Sequence, residues 1–249
     1  MNEKIKSVPV KDFKRRNRRS FLLAGISAIG SAFGLRWLLT ITQNSDASPD
    51  PLRRGFHANE KFWTRFFNPR RENSAAEAPR PGTKPRVNGD IGLENEIDLD
   101  EWRLEYESPL MKKTFTLQEL AKFPRFSMSA EFRCIEGWSM PIGYEGIRFS
   151  EFLNAVDPEA AKLPYVGLET PEADYYVGID MESMLHPQTI LADRMNAAPL
   201  GKEHGEPLRL IIPIKYGIKS LKRVGRIIVS QNRPPDYWAE NGYDWYSGL

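Results

Sequence analysis

Residues 132–141 read Phe-Arg-Cys-Ile-Glu-Gly-Trp-Ser-Met-Pro and contain the one cysteine of the chain, Cys134. The cysteine follows residues 127–133, whose alternating polar and apolar side chains predict a strand. It therefore enters a loop with Gly137 and Trp138, and functional side chains are frequent on loops. A thiolate here could act as a nucleophile, a redox thiol or a ligand of a soft metal. The alternative is a buried cysteine that packs as a small hydrophobic residue.

The patterns around this stretch predict short strands interleaved with short helices. Strands are expected at residues 102–106, 165–169, 208–212 and 226–230, in addition to residues 127–133. Thr116, followed by Glu119 three residues later, is typical of a helix start, and residues 150–156 form a second helical segment. With the long loops between them, these elements predict an α+β domain with mixed sheets over residues 89–249.

Basic residues concentrate between residues 202 and 233. This segment carries eight Lys or Arg and only two acids, Glu203 and Glu206, within a domain that is otherwise acidic. Glycines let a backbone approach a ligand closely, and Arg, Lys and His donate charge-assisted hydrogen bonds to phosphate. One interpretation is an anion site for a phosphorylated cofactor, and the other is a solvated basic edge strand.

Composition and charge exclude several classes of protein. A single cysteine forms no intrachain disulfide and no four-ligand structural zinc site, and three histidines argue against a metal site made of histidines. The net charge of +2 hides a basic residue surplus in residues 1–20, whereas residues 89–249 carry seventeen basic and twenty-six acidic side chains. Nucleic-acid binding is disfavoured because the folded domain lacks a basic surplus.

The N-terminal residues have the pattern of an export segment. A basic stretch ends in Arg18-Arg19-Ser20-Phe21-Leu22-Leu23, and an apolar run continues to residue 35. This pattern resembles a twin-arginine signal, which implies export of a protein already folded around its cofactor. Residues 1–45 are therefore expected to be such a signal or an N-terminal membrane anchor. Residues 46–88 are expected to be a linker with an aromatic-rich docking segment at residues 56–67.

The cysteine loop Cys134-Ile135-Glu136-Gly137-Trp138-Ser139 resembles the molybdenum-binding loop of molybdopterin oxidoreductases of the sulfite oxidase fold. Among them it is closest to the catalytic subunits of bacterial periplasmic protein-methionine-sulfoxide reductases. Further stretches of the chain fit this family in the same order: Glu169-Thr170, His186-Pro187, His204-Gly205-x-Pro207-x-Arg209 and Pro213-x-Lys215-Tyr216-Gly217-x-Lys219-Ser220-x-Lys222. The resemblance covers residues 88–238.

The resemblance implies a molybdenum–molybdopterin cofactor whose metal is held by the Cys134 thiolate, and Cys134 is the expected catalytic residue. It also implies that Thr170 hydrogen-bonds the pterin and that His204 contacts the cofactor. The expected anchors of the pterin and its phosphate are Arg209, Ser220, Leu221 and Lys222. A looser match adds Asn59, Phe62 and Trp63 as cofactor contacts. Tyr175 and Tyr176 are expected to line the substrate entrance.

Members of this family move one oxygen atom to or from sulfur, so the resemblance implies an oxidoreductase that reduces an S-oxide such as methionine sulfoxide. Sulfite oxidases carry an arginine-rich pattern after the metal cysteine. Gly137-Trp138-Ser139 stand there in this chain, which argues against efficient oxidation of a dianion. The alternatives are a dehydrogenase of sulfite or another small substrate with the same centre, a cofactor-free binding module, and a plain thiol enzyme.

These interpretations imply an exported or periplasmic protein, with membrane anchorage if the N-terminal segment stays uncleaved. The expected partners are the twin-arginine export machinery and an external electron carrier, such as a membrane haem or quinone-linked subunit. The substrate is expected to be a small-molecule or protein S-oxide. The chain is expected to be a monomer, because the dimerisation domain of sulfite oxidases is missing after residue 238.

Overall fold

The computed structural model of the protein describes residues 25–34, 50–68, 70–73 and 84–249, with the backbone alone at residues 50–53, 56 and 63. The chain divides into two compact units between Pro51 and Leu52. Residues 25–34 are helical in the first unit. The twin-arginine stretch and residues 46–49 and 74–83 lie outside the described residues. No helix among the described residues is long and apolar enough to cross a membrane.

Five α-helices, three short 3-10 helices and ten strands have defined bounds in the described residues. The α-helices are α1 (Asp50–Thr64), α2 (Leu117–Leu120), α3 (Phe149–Val156), α4 (Met181–Met184) and α5 (Tyr237–Glu240). The strands are β1 (Leu104–Glu107), β2 (Lys112–Phe115), β3 (Phe126–Arg133), β4 (Ser139–Arg148), β5 (Tyr165–Glu169), β6 (Tyr176–Asp180), β7 (Ile190–Met195), β8 (Ala198–Pro199), β9 (Arg209–Ile211) and β10 (Arg226–Ser230).

The strands form two sheets, as the α+β prediction requires. The first sheet has the order β2-β1-β10-β5-β6 and is mixed, because β1 and β10 are parallel while the other pairs are antiparallel. The second sheet has the order β3-β4-β7-β8, with β9 also paired to β7 in antiparallel fashion. The helices of the second unit have at most eight residues apart from α1, so strands and loops build most of this unit.

A large apolar cluster packs against the first sheet. Helix α3 buries Phe149, Phe152 and Leu153, and Phe152 stacks edge-on against Tyr106 of β1 at a centroid distance of 6.0 Å. Burial of large aromatic rings contributes about 2–3 kcal/mol for each side chain. The capping box expected at Thr116 is confirmed, because its hydroxyl accepts a hydrogen bond from the Glu119 amide and the Glu119 carboxylate accepts one from the Thr116 amide.

The aromatic-rich segment lies in and just after α1, within the same compact unit as the sheets. Glu60 of this helix accepts two hydrogen bonds from Arg233, at 2.8 and 2.9 Å. Phe67 packs edge-on against Tyr246, with ring centroids 5.1 Å apart. These contacts place the helix against the C-terminal part of the chain.

Candidate functional site

The β3–β4 hairpin carries Cys134 at the end of β3. The Cys134 amide donates a hydrogen bond to the carbonyl of Trp138 at 2.9 Å, and the Gly137 amide donates to the carbonyl of Cys134 at 3.1 Å. Gly137 has a φ of +87°, a conformation that glycine adopts without strain. This tight turn fixes the cysteine, which is 4% exposed.

Residues 88–91 cross the same region as the hairpin turn. The side-chain amide of Asn88 donates a hydrogen bond to the Cys134 sulfur at 3.4 Å. The ammonium group of Lys222 donates to the carbonyls of Asn88 and Gly89 at 2.7 and 2.8 Å. Lys222 therefore holds this segment beside the sulfur.

These elements surround a cavity of about 300 Å³. Four polar residues of its lining, which we call the polar side, are Cys134, Arg209, Ser220 and Lys222. Four aromatic residues of its lining, which we call the aromatic side, are Phe132, Tyr175, Trp238 and Tyr243. The residues come from distant parts of the chain, because β3, the β5–β6 connection, β9 and the C-terminal segment converge here.

Arg209 is the buried cation of this cavity. Its guanidinium donates to the carbonyl of His204 at 3.1 Å and to that of Ser220 at 3.5 Å, while its Nε has no hydrogen-bond partner in the described structure. No described carboxylate forms an ion pair with it, and burial lowers the pKa of its guanidinium. A buried cation with an unsatisfied donor is costly unless an anion accepts from it.

Burial and the charge of Arg209 also lower the pKa values of Lys222 and His204. Burial, followed by the charge of Arg209, lowers the pKa of Lys222 to about 8, against the opposing effect of Asp90 and Glu203. Burial and the positive charges of Arg209 and Lys222 also lower the pKa of His204. An anion bound in the cavity would favour the charged form of Lys222.

Three other basic residues of the 202–233 segment form ion pairs away from Arg209. Lys215 pairs with Asp180 at 2.8 Å, Lys219 pairs with Asp236, and Arg226 pairs with Glu107 at 2.6 Å. The basic residues of this segment therefore have two different environments. Arg209 and Lys222 face the cavity, whereas these three side chains neutralise carboxylates elsewhere.

Only some of the residues expected to form the site line the cavity. Cys134, Arg209, Ser220 and Lys222 line one cavity, and His204 contacts Arg209 through its carbonyl. The Leu221 side chain lies in the apolar core. The Thr170 hydroxyl accepts from the Tyr175 amide at 3.2 Å and is not part of the cavity lining. Tyr175 lines the cavity, whereas Tyr176 does not.

Asn59 and Phe62, two residues of the looser match on α1, do not line the cavity. Asn59 and Phe62 are exposed on this helix, and the side chain of Trp63 lies outside the described residues. The cofactor roles expected for these three residues stay predictions. The asparagine beside the sulfur is Asn88, which sequence reasoning did not include among the site residues.

The donor set fits an anionic cofactor that carries a soft metal. A buried thiol suits such a metal, and the unsatisfied Nε of Arg209 suits a phosphate or a similar anionic group. Among the described residues, no group of three or more His, Cys, Asp or Glu side chains could hold a metal ion. The residues present thus fit a metal whose other ligands come from an organic cofactor.

Comparison with known proteins gives several similar chains. The putative protein-methionine-sulfoxide reductase subunit YedZ1 of Azospira oryzae is 34% identical over 154 residues, which are 61% of this chain and 58% of that protein. The protein-methionine-sulfoxide reductase catalytic subunit MsrP of Campylobacter jejuni is 25% identical over 261 residues, covering 97% of this chain and 82% of the relative. The corresponding subunit of Ralstonia nicotianae is 33% identical over 59% of this chain and 50% of its own length.

A solved structure has a similar fold. The sulfane dehydrogenase SoxCD from Paracoccus pantotrophus matches with a TM-score of 0.50 and 25% sequence identity, over 56% of this chain and 40% of that chain. The family described as "Oxidoreductase molybdopterin binding domain" matches residues 91–238, which are more than half of the chain and include the whole polar side of the cavity. This protein therefore belongs to the molybdopterin-binding oxidoreductase family.

Proposed function

We propose that the protein is an exported molybdenum oxidoreductase that reduces an S-oxide such as methionine sulfoxide. The observation that carries this proposal is the meeting of Cys134, Arg209, Ser220 and Lys222 in one cavity. When bound, the molybdenum–molybdopterin cofactor would supply two-electron oxygen-atom transfer at sulfur.

The residues of the polar side would hold this cofactor. Cys134 would donate its thiolate to the metal, and the tight turn at Gly137 would keep the sulfur directed into the cavity. Arg209 and Lys222 would bind the anionic part of the cofactor through charge-assisted hydrogen bonds. Because the Nε of Arg209 lacks a partner, such a contact would satisfy a buried donor.

The aromatic side of the cavity favours a neutral S-oxide over sulfite. Ile135, which directly follows the cysteine, is 38% exposed and carries no charge. Arg133, which precedes the cysteine, pairs with Glu131 at 3.2 Å and lines a different cavity of about 150 Å³. To bind here, the sulfite dianion would need Arg209 or Lys222, and these two cations would already bind the anionic part of the cofactor. Phe132, Trp238 and Tyr243 offer apolar contacts that suit an S-alkyl group.

The oxidative direction is the second candidate, because a sulfane dehydrogenase is among the similar structures. In this case the same cavity would take a reduced sulfur compound and pass its electrons to an acceptor. For either direction we propose an external electron carrier, such as a membrane haem or quinone-linked subunit. Export through the twin-arginine route rests on residues 18–23, which lie outside the described structure.

Steady-state kinetics of the purified, cofactor-loaded full chain test the proposal. Reduced viologen dye would supply electrons to methionine sulfoxide, and ferricyanide would accept them from sulfite in a parallel assay. Turnover with methionine sulfoxide and its loss in Cys134→Ser would support the proposal. Turnover with sulfite alone would favour the second candidate, and turnover with methionine sulfoxide in a Cys134→Ser protein that contains molybdenum would contradict the role of the thiolate.

A further inference from the structure

The hydroxyl of Tyr175 bonds to two different parts of the cavity lining. It donates a hydrogen bond to the carbonyl of Ile218 at 2.7 Å and accepts one from the indole N–H of Trp238 at 3.0 Å. Ile218 lies in a short turn directly before Ser220 on the polar side, whereas Trp238 belongs to α5 on the aromatic side. One hydroxyl therefore links the turn before Ser220 to the indole of Trp238.

The backbone of Tyr175 is fixed as well as its side chain. The Tyr175 amide donates to the Thr170 hydroxyl at 3.2 Å, and the Thr170 amide donates to the Tyr175 carbonyl at 2.9 Å. Thr170 itself is 1% exposed. A residue that is fixed at both its main chain and its hydroxyl has few alternative positions, so its contact with Trp238 is well defined.

The protonation state of Tyr175 suits its hydrogen bond with Trp238. Burial and the carboxylate of Asp236 raise the pKa of its hydroxyl, so it stays a neutral phenol that can donate and accept at once. Because the indole N–H of Trp238 is satisfied by Tyr175, the ring can present apolar surface to the cavity. The Trp238 ring in turn packs edge-on against Tyr243, with centroids 5.1 Å apart.

We propose that Tyr175 is a positioning residue that holds the indole of Trp238 as the apolar wall against which the substrate S-alkyl group binds. This inference rests on the proposed S-oxide reduction and assigns the substrate side of that cavity. Tyr175 acts through Trp238, so its loss should weaken substrate binding while the cofactor contacts made by Arg209 and Lys222 remain.

The first test measures the position of the indole without any assay of activity. In Tyr175→Phe the hydrogen exchange of the Trp238 indole N–H, identified by its absence from the NMR spectrum of Trp238→Phe, should become roughly fivefold faster, as expected for one lost hydrogen bond. Tyr176→Phe is the matched control, because the Tyr176 hydroxyl pairs with Glu240 and lies outside the cavity lining. Equal exchange rates in Tyr175→Phe and the wild-type protein would overturn the proposal.

The second test is a double-mutant cycle on the cofactor-loaded enzyme. Tyr175→Phe should raise the KM for methionine sulfoxide roughly fivefold with little change in kcat, and it should have no further effect in a Trp238→Phe background. An equal effect in both backgrounds would overturn the proposal, and so would loss of molybdenum from Tyr175→Phe. If wild-type enzyme does not reduce methionine sulfoxide, the proposed function fails while the exchange measurement still decides the link between Tyr175 and Trp238.

Discussion

The side-chain amide of Asn88 donates a hydrogen bond to the sulfur of Cys134 at 3.4 Å. The two residues come from separate segments, and Lys222 holds the Asn88 segment by donating to the carbonyls of Asn88 and Gly89. A hydrogen bond to a thiolate withdraws electron density from the sulfur and from any metal bound to it. The segment before the domain therefore contributes to the electronic properties of the proposed metal site.

Replacing Asn88 should lower the reduction potential of the loaded centre. In Asn88→Ala the sulfur loses a donor, so the more oxidised metal is favoured by on the order of 60 mV for one electron, a tenfold change in the equilibrium. Redox titration followed by EPR spectroscopy measures this shift. Asn95→Ala, on the exposed part of the same segment, is the control. An unchanged potential in Asn88→Ala with full molybdenum content would contradict this role.

Replacing Arg209 should reduce cofactor occupancy. The loss of a charge-assisted hydrogen bond costs about 1.5–3 kcal/mol, which corresponds to roughly a tenfold to hundredfold weaker affinity for the cofactor. We expect Arg209→Ala to be purified with little molybdenum or pterin, and Arg194→Ala, on an exposed side chain, to keep both. Full occupancy in Arg209→Ala would argue against the anchor role.

Lys222 should make anion binding dependent on pH. Its pKa of about 8 means that the ammonium form predominates below pH 8 and the neutral amine above it. Binding of the anionic cofactor to the apoprotein should therefore weaken as the pH rises through about 8. Titrations at several pH values test this prediction, and Lys222→Gln should remove the pH dependence. The same slope in Lys222→Gln would assign the titration to another group.

The lowered pKa of Lys222 also affects the stability of the apoprotein, which should rise with pH where anion binding weakens. The pKa of Lys222 is lower in the folded state than in the unfolded chain, so the unfolded chain binds more protons between pH 8 and about 10.5. The contribution of Lys222 to the free energy of unfolding should therefore become more favourable as the pH rises through this window. Comparison of Lys222→Gln with the wild-type apoprotein by urea denaturation isolates this contribution.

The buried ion pair of Lys219 and Asp236 should be critical for stability. Asp236 accepts from the Gly178 and Ala239 amides at 3.0 Å, and through Ala239 it caps the helix that carries Trp238. Lys219→Met would leave a buried carboxylate without its cation, which costs about 3–5 kcal/mol. Urea denaturation measures this loss. The double variant Lys219→Met, Asp236→Asn should recover a large part of it, and an equal loss in both variants would show that charge pairing is not the cause.

Regular patterns made much of the fold predictable. The strands at residues 165–169 and 226–230 have the bounds expected from the sequence, and the capping residues Thr116 and Glu119 act as expected. Strand β4 was not predicted, because Pro141, Gly143 and Gly146 interrupt its pattern. Gly146 lies at an irregularity in the pairing with β7, where a Cβ would lie 2.1 Å from the carbonyl oxygen of Leu191. Gly146 is needed because the backbones of β4 and β7 approach closely at this point, and the sequence pattern of β4 alone does not reveal this approach.

The polar side of the cavity was more predictable than the aromatic side. Cys134, Arg209, Ser220 and Lys222 lie in the motifs that carry the resemblance, and the structure brings these four residues to one cavity. Trp238 and Tyr243 come from the irregular C-terminal segment, and Asn88 comes from the segment before β1. Their positions depend on tertiary contacts, such as the binding of the Asn88 carbonyl by Lys222, which a pattern along the chain does not reveal.

We propose that this chain holds a molybdenum cofactor through Cys134. Elemental analysis for molybdenum, with pterin quantified alongside, checks this on the full chain purified from cells that make the cofactor. We predict close to one molybdenum and one pterin for each wild-type chain, and a large loss of molybdenum in Cys134→Ser. A folded wild-type protein without molybdenum and pterin would contradict the claim.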